Sequence, residues 1–276
     1  MPFLINETGQ GPVDLYYKDY GQGKPVILIH GWPLSHQAWE GQMQTLLDAG
    51  YRVIAYDRRG FGLSSQPLDG YDYSALASDL REIILQLDLM DVTIVGFSMG
   101  GGEVVRYFTD YEGDRISKAV LIGSIIPLVA QKPDNPDGVP AEMLDGILEA
   151  LKSNRVGFLK DFHKNFYNYE NNTDRMSRAN LDYDFSIASH ASPIATIKCA
   201  EAWAGTDFRS ELKNVSRTTL IIHGDEDNIV PIKTSSDQAA KGITANEYHV
   251  ISGGPHGLIL THRKEVDKLL LKFLEK

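Results

Sequence analysis

Between Val13 and Tyr20 apolar and polar side chains alternate, the period of a strand with one solvated face. A Gly21-Gln22-Gly23 turn follows, and then Pro25-Val-Ile-Leu-Ile-His30 is continuously apolar, as in a strand buried on both faces. Trp39–Leu47 reads as a helix and Tyr51–Tyr56 as a second buried strand. Tyr73–Leu87 places Leu76, Leu80, Ile83, Ile84 and Leu87 on one helical face. Val92–Val95 and Ile116–Ile122 are further strands. This alternation of strand and helix predicts an α/β fold, with a mostly parallel sheet covered by helices on both faces.

The rhythm breaks at Pro127. No strand pattern is visible from Gln131 to about Phe208, and Lys132–Pro140 has the Pro/Asp/Gly content of a linker. Helical patterns follow at Met143–Leu151 and at Phe158, Leu159, Phe162, Phe166 and Tyr167. Alternation resumes with Thr219–His223, Ser235–Lys241, Tyr248–Ile251 and Leu258–Leu274. The expected organisation is one core domain made of 1–126 and 209–276, interrupted by a helical insertion at 127–208 that would act as a lid over a site.

Charge narrows the partners. With 27 Lys+Arg against 37 Asp+Glu the net charge is −10, which disfavours nucleic acid and anionic membrane surfaces. No run approaches the ~18–20 apolar residues of a membrane span. The stretch Met1–Thr8 has neither a basic region nor an apolar core, so no secretory leader is expected. The lone Cys199 suits a reducing compartment and reads as a buried, inert thiol, giving a cytoplasmic expectation.

The chemistry lies in Val92-Thr-Ile-Val-Gly96-Phe-Ser98-Met-Gly100-Gly-Gly, a strand running through Gly-x-Ser-x-Gly into a helix. A turn this sharp leaves no room for Cβ atoms at Gly96 and Gly100, lifts the Ser98 hydroxyl out of the sheet, and aims helix N–H groups at developing negative charge. A serine nucleophile needs a base held by a carboxylate. The strand ending at Gly224 leads into Asp225-Glu-Asp227, and the strand ending at Ile251 leads into His256. Both loops leave the carboxyl ends of strands, where open α/β sheets bind ligands. Asp225 and Asp227 are equal candidates for the acid on pattern alone. His30 and His223 end buried strands and read as hydrogen-bonded core groups; His223-x-Asp225-x-Asp227 is only a weak metal-ligand pattern, so none is expected. Gly23-Lys24 followed by Pro25 fails as a phosphate-binding loop, and Gly60-Phe-Gly62 lacks the third glycine of a dinucleotide fingerprint. Two oxyanion donors are expected: the Met99 N–H, and the Trp32 N–H in the loop His30-Gly31-Trp32-Pro33.

With these residues in place, the chain resembles the α/β-hydrolase superfamily along essentially its whole length. Taken together, His30-Gly-Trp-Pro-Leu34, Tyr56-Asp-Arg-Arg-Gly-Phe-Gly62, Gly96-Phe-Ser-Met-Gly-Gly-Gly102, Gln131-Lys-Pro-Asp134 and Gly138-Val-Pro140 are similar to one group within it. That group is the cofactor-free bacterial haloperoxidases (perhydrolases), aryl esterases and γ-lactamases. The resemblance implies Ser98 as nucleophile, His256 as base, Asp227 as the acid, and the Trp32 and Met99 N–H groups as oxyanion donors. It also implies an acyl pocket lined by Trp32, Phe162, Phe166, Trp203 and Ile229. The activity it implies is hydrolysis of small uncharged esters or lactones through an acyl-enzyme, with hydrogen peroxide able to replace water, and no cofactor. Lactam cleavage is the runner-up activity, and a non-catalytic small-molecule receptor the third. A haloalkane dehalogenase or epoxide hydrolase would need Asp where Ser98 stands. Homo-oligomeric assembly is a further expectation from the group.

Overall fold

The computed structural model describes residues 3–7 and 11–276. Met1, Pro2 and Thr8, on which the reading of the amino terminus also rests, lie outside the described residues. The chain runs β1 (Phe3–Asn6), β2 (Val13–Tyr20), β3 (Pro25–Ile29), α1 (Glu40–Asp48), β4 (Arg52–Tyr56), α2 (Tyr73–Gln86), β5 (Val92–Phe97), α3 (Gly100–Tyr111) and β6 (Ile116–Ile122). It continues through α4 (Ala141–Phe166), α5 (Arg178–Ser189), α6 (Pro193–Gly205), β7 (Thr219–Gly224), α7 (Ser236–Gly242), β8 (Asn246–Ile251), α8 (Leu258–Thr261) and α9 (Arg263–Leu274).

The strands form one eight-stranded sheet in the order β1-β2-β4-β3-β5-β6-β7-β8. β1 and β2 pair antiparallel, as do β2 and β4, and all later pairs are parallel. Val26–Ile29, Val92–Phe97 and Thr219–Gly224 are buried throughout, which is why these segments are apolar without alternation. On one side α2 and α3 pack against each other, while α1, α8 and α9 pack together as a separate group. The strand order reverses about β3, so the crevice between the carboxyl ends of β3 and β5 is the topological switch point.

The termini of several elements follow from local chemistry. Asp72 caps α2 by accepting from the Ala75 N–H, and Ser192 caps α6, which opens with Pro193 in its first turn. Before α1 the chain makes one 3₁₀ turn, His36–Trp39, capped by Ser35. The helix expected from Trp39 therefore begins at Glu40. β1, which no pattern predicted, is four residues long and half exposed. Between β6 and β7 the described residues contribute no strand to the sheet, only the isolated bridges Ala130–Val139 and Lys132–Asn135. There α4 is interrupted at Asn154 (φ −154°, ψ 73°), whose side chain accepts from the Gly157 N–H at 3.0 Å. This acts as a fresh N-cap in mid-helix, and it separates the two helical patterns read from the sequence. No helix among the described residues is long and apolar enough to cross a membrane.

Candidate active site

Ser98 follows the last residue of β5 and adopts φ +53°, the left-handed region, at a strain of roughly 1–3 kcal/mol for a non-glycine residue. The turn is held by its surroundings. The Ser98 N–H donates to the Ile122 carbonyl at 2.9 Å, and the Gly101 N–H donates back to the Ser98 carbonyl at 3.1 Å. A Cβ at Gly96 would stand 2.6 Å from the Gly100 carbonyl oxygen, and one at Gly100 would stand 2.6 Å from that of Ile29. Only glycine permits these approaches, and together they force the hydroxyl outward from the sheet.

His256 and Asp227 come from the loops after β8 and β7. The Ser98 Oγ lies 2.8 Å from His256 Nε2, and His256 Nδ1 lies 2.6 Å from Asp227 Oδ2. All three side chains are almost fully buried. Asp227 Oδ1 accepts from the Ile229 and Val230 N–H groups at 2.9 and 2.8 Å. His223 Nε2 lies 3.1 Å from Asp227 Oδ2 and 3.0 Å from the Val230 carbonyl, while its Nδ1 meets the Ser236 hydroxyl at 2.7 Å. Burial alone would raise the Asp227 pKa. The His256 charge and the hydrogen bonds from His223 and His256 outweigh it and hold the carboxyl well below its ordinary value. Asp225 is exposed and turns instead to the Gly253 N–H at 2.6 Å. The sequence alternative between the two aspartates thus becomes a difference of place: only Asp227 touches the imidazole. Among the described residues no three His, Cys, Asp or Glu side chains are grouped as a metal site would need.

The loop after β3 runs beneath Ser98. A Cβ at Gly31 would lie 3.0 Å from the Ser98 Cβ, so glycine lets the loop come this close. The Leu34 N–H closes a turn onto the Gly31 carbonyl at 3.0 Å, and the Trp32 indole N–H donates to the Thr196 carbonyl of α6 at 2.9 Å. The main-chain N–H groups of Trp32 and Met99 donate to no acceptor among the described residues. Met99 also stands at the N-terminal end of α3, where helix N–H groups lack internal partners.

Trp32, Ser98, Ile125, Phe162, Trp203, Ile229, Val230 and His256 enclose a cavity of about 10 Å³. That is barely room for one water molecule. The Trp32 ring packs edge-on to Phe162 at 5.3 Å and tilted to Trp203 at 5.8 Å. Phe166 corrects the expected pocket. One helical turn beyond Phe162, it does not line the cavity; it packs perpendicular to the His256 ring at 4.7 Å and onto Phe97 at 6.0 Å. Its carbonyl accepts the Gly257 N–H at 2.9 Å, tying the end of α4 to the loop that carries His256. Ile125 and Val230 were missed. Each lies in a short apolar pair, Ile125-Ile126 or Ile229-Val230, in a loop after a strand, and nothing in residue type marks it as a lining residue. Cys199 is buried in α6, and burial pushes its thiol up to about 12.

Residues 24–263 match the family described as alpha/beta hydrolase fold. A bromoperoxidase from Bacillus anthracis superposes with a TM-score of 0.95 at 45% identity, over 99% of this chain and 100% of that one. A non-heme chloroperoxidase from Kitasatospora aureofaciens is 38% identical over 100% of both chains. A bifunctional esterase/perhydrolase from Acinetobacter calcoaceticus is 35% identical over 97% of this chain and 98% of its own.

Proposed function

The chain belongs to the α/β-hydrolase fold family and, within it, to the group of non-heme haloperoxidases and esterases, and from this we propose that it is a serine esterase with perhydrolase activity. The observation that carries the reading is the unbroken hydrogen-bonded series Asp227–His256–Ser98 ending at an aromatic cavity. His256 takes the Ser98 proton as Oγ attacks the carbonyl of a small uncharged ester or lactone. Asp227 holds the Nδ1–H tautomer and stabilises the imidazolium that forms. The oxyanion is met by the Trp32 and Met99 N–H groups, the alcohol leaves with the proton from His256, and water releases the acid. When hydrogen peroxide attacks the acyl-enzyme in place of water, the product is a peracid. It transfers one oxygen to halide, giving hypohalous acid and the carboxylate, with no metal or cofactor in any step.

Residues 127–208 act as the lid in this reading. Phe162 of α4 narrows the cavity beside Ser98, so in this reading α4 shifts to admit larger acyl groups. The buried thiol and the acidic surface fit a cytoplasmic esterase. Ser98→Ala is expected to abolish both p-nitrophenyl acetate hydrolysis and peroxide-dependent bromination in acetate buffer. Bromination that survives in this variant would refute the shared acyl-enzyme.

A further inference from the structure

Behind the two candidate oxyanion donors lies a charge pair that acyl transfer does not use. Arg58, just past β4, is 1% exposed, and Glu103, in the first turn of α3, is 0% exposed. Arg58 Nε donates to Glu103 Oε1 at 2.6 Å; its Nη2 contacts the same oxygen and donates to the His30 carbonyl at 2.6 Å. The Tyr56 hydroxyl donates to Glu103 Oε2. The Arg58 main-chain N–H donates to His30 Nε2 at 3.0 Å, which makes that nitrogen an acceptor and leaves the proton on Nδ1. Nδ1 then donates to the Gly31 carbonyl at 2.9 Å, the same oxygen that receives the Leu34 N–H. Burial, and then the Arg58 charge, hold the His30 pKa well below its ordinary value and keep the ring neutral in this role.

Stability does not explain why these groups are charged. A buried ion pair is often matched or bettered by apolar residues of equal volume. Location does explain it. Arg58 bonds the residue two before Trp32, and Glu103 lies four residues after Met99, one helical turn into α3. The pair therefore joins the loop bearing one donor to the helix bearing the other. We propose that Arg58 and Glu103 are positioning residues that fix the separation of the Trp32 and Met99 N–H groups, so that both meet the oxyanion formed at Ser98. This rests on Ser98 being the nucleophile. An oxyanion demands both donors at close range, whereas the ground-state carbonyl does not. Slack between loop and helix should thus weaken the transition state more than substrate binding.

Two variants test this. Arg58→Lys keeps the charge but lacks the planar fork that reaches Glu103 and His30 together. The double variant Arg58→Met/Glu103→Leu removes the pair without stranding a charge, which guards against misfolding. For each, kcat and KM on p-nitrophenyl acetate are measured per active site, with sites counted by end-point fluorophosphonate labelling. Affinity is also measured for a trifluoromethyl ketone that forms a hemiketal oxyanion on serine. The expected result is a fall in kcat of about 10- to 100-fold with KM little changed, and a matching loss of ketone affinity. Unchanged kcat per labelled site, a change confined to KM, or a fall in kcat with full ketone affinity would each overturn the proposal. Ser98→Ala separates the two readings: turnover that persists there defeats the nucleophile assignment, whatever the Arg58 variants show.

Discussion

Asp227 has a partner for every oxygen: two main-chain N–H groups on Oδ1, and His256 with His223 on Oδ2. A carboxylate held this way stays ionised and fixes the imidazole tautomer. Asp227→Asn would present an amide to His256 and favour the wrong tautomer, so kcat on p-nitrophenyl acetate should fall about 10³- to 10⁴-fold. Asp225→Asn keeps an oxygen for the Gly253 N–H and should leave kcat near the parent value; equal losses in the two would contradict the assignment. The two aspartates could not be ranked from sequence because what separates them is the path of the backbone, which turns the Ile229 and Val230 N–H groups onto one carboxylate. Ser98 was legible for the opposite reason. The glycines at 96 and 100 are themselves the steric requirement of the turn, and that requirement is written in residue type. His223 reads as a satisfied core histidine, and so it is, but its second contact on Asp227 has no counterpart in local pattern.

At the scale of elements, the buried strands were legible because strands covered on both faces are apolar without interruption. β1 was not, being four residues that half face solvent. The two helical patterns in the sequence correspond to the halves of α4, and the fresh cap at Asn154 divides them. Its second half brings Phe162 into the cavity and Phe166 onto His256, a difference of one helical turn that periodicity cannot resolve into pocket and wall. Phe162 is 9% exposed and packs against Trp32, so in the proposed reading its ring occupies the space a longer acyl chain would need. Phe162→Ala should raise the ratio of kcat/KM for p-nitrophenyl hexanoate over acetate by about 10- to 100-fold, since each buried methylene contributes about 0.8 kcal/mol. The stability cost should stay below the ~3–5 kcal/mol of a deep-core Phe→Ala, because the ring borders the cavity. A ratio that does not change would place the acyl chain elsewhere.

For the whole molecule, the alternation of strand and helix from β2 onward is legible in the sequence, and the loss of strand period after Pro127 marks the helices between β6 and β7. How the chain responds to acid depends on buried groups that composition does not reveal. His163 in α4 is buried between Phe162 and Phe166; its Nδ1 donates to the Leu159 carbonyl at 2.6 Å, and its Nε2 has no partner among the described residues. Burial lowers its pKa to about 4 against that one hydrogen bond. Because the unfolded histidine titrates near 6.5, acidification protonates the unfolded chain first. Stability therefore falls from about pH 6.5 and levels off near pH 4, by at most about 3 kcal/mol at 1.36 kcal/mol per pKa unit. His30, also held neutral by burial, acts in the same direction. Asp184 opposes them: burial raises it to about 6, so its folded form takes up a proton before the unfolded one and gains stability between about pH 6 and 4. Asp227 is depressed below its unfolded value, so its contribution is lost only under more acid conditions. Since burial also raises Asp79 and Glu103 and lowers His262, several groups overlap in this range, and the informative quantity is a difference between proteins. Urea unfolding of the parent and of His163→Phe at pH 7, 5.5 and 4 should give a stability difference that shifts in the variant's favour on acidification. The parent should lose about 2–3 kcal/mol more than the variant across that range. Parallel losses in the two proteins would show that His163 is protonated in the folded state as readily as in the unfolded chain.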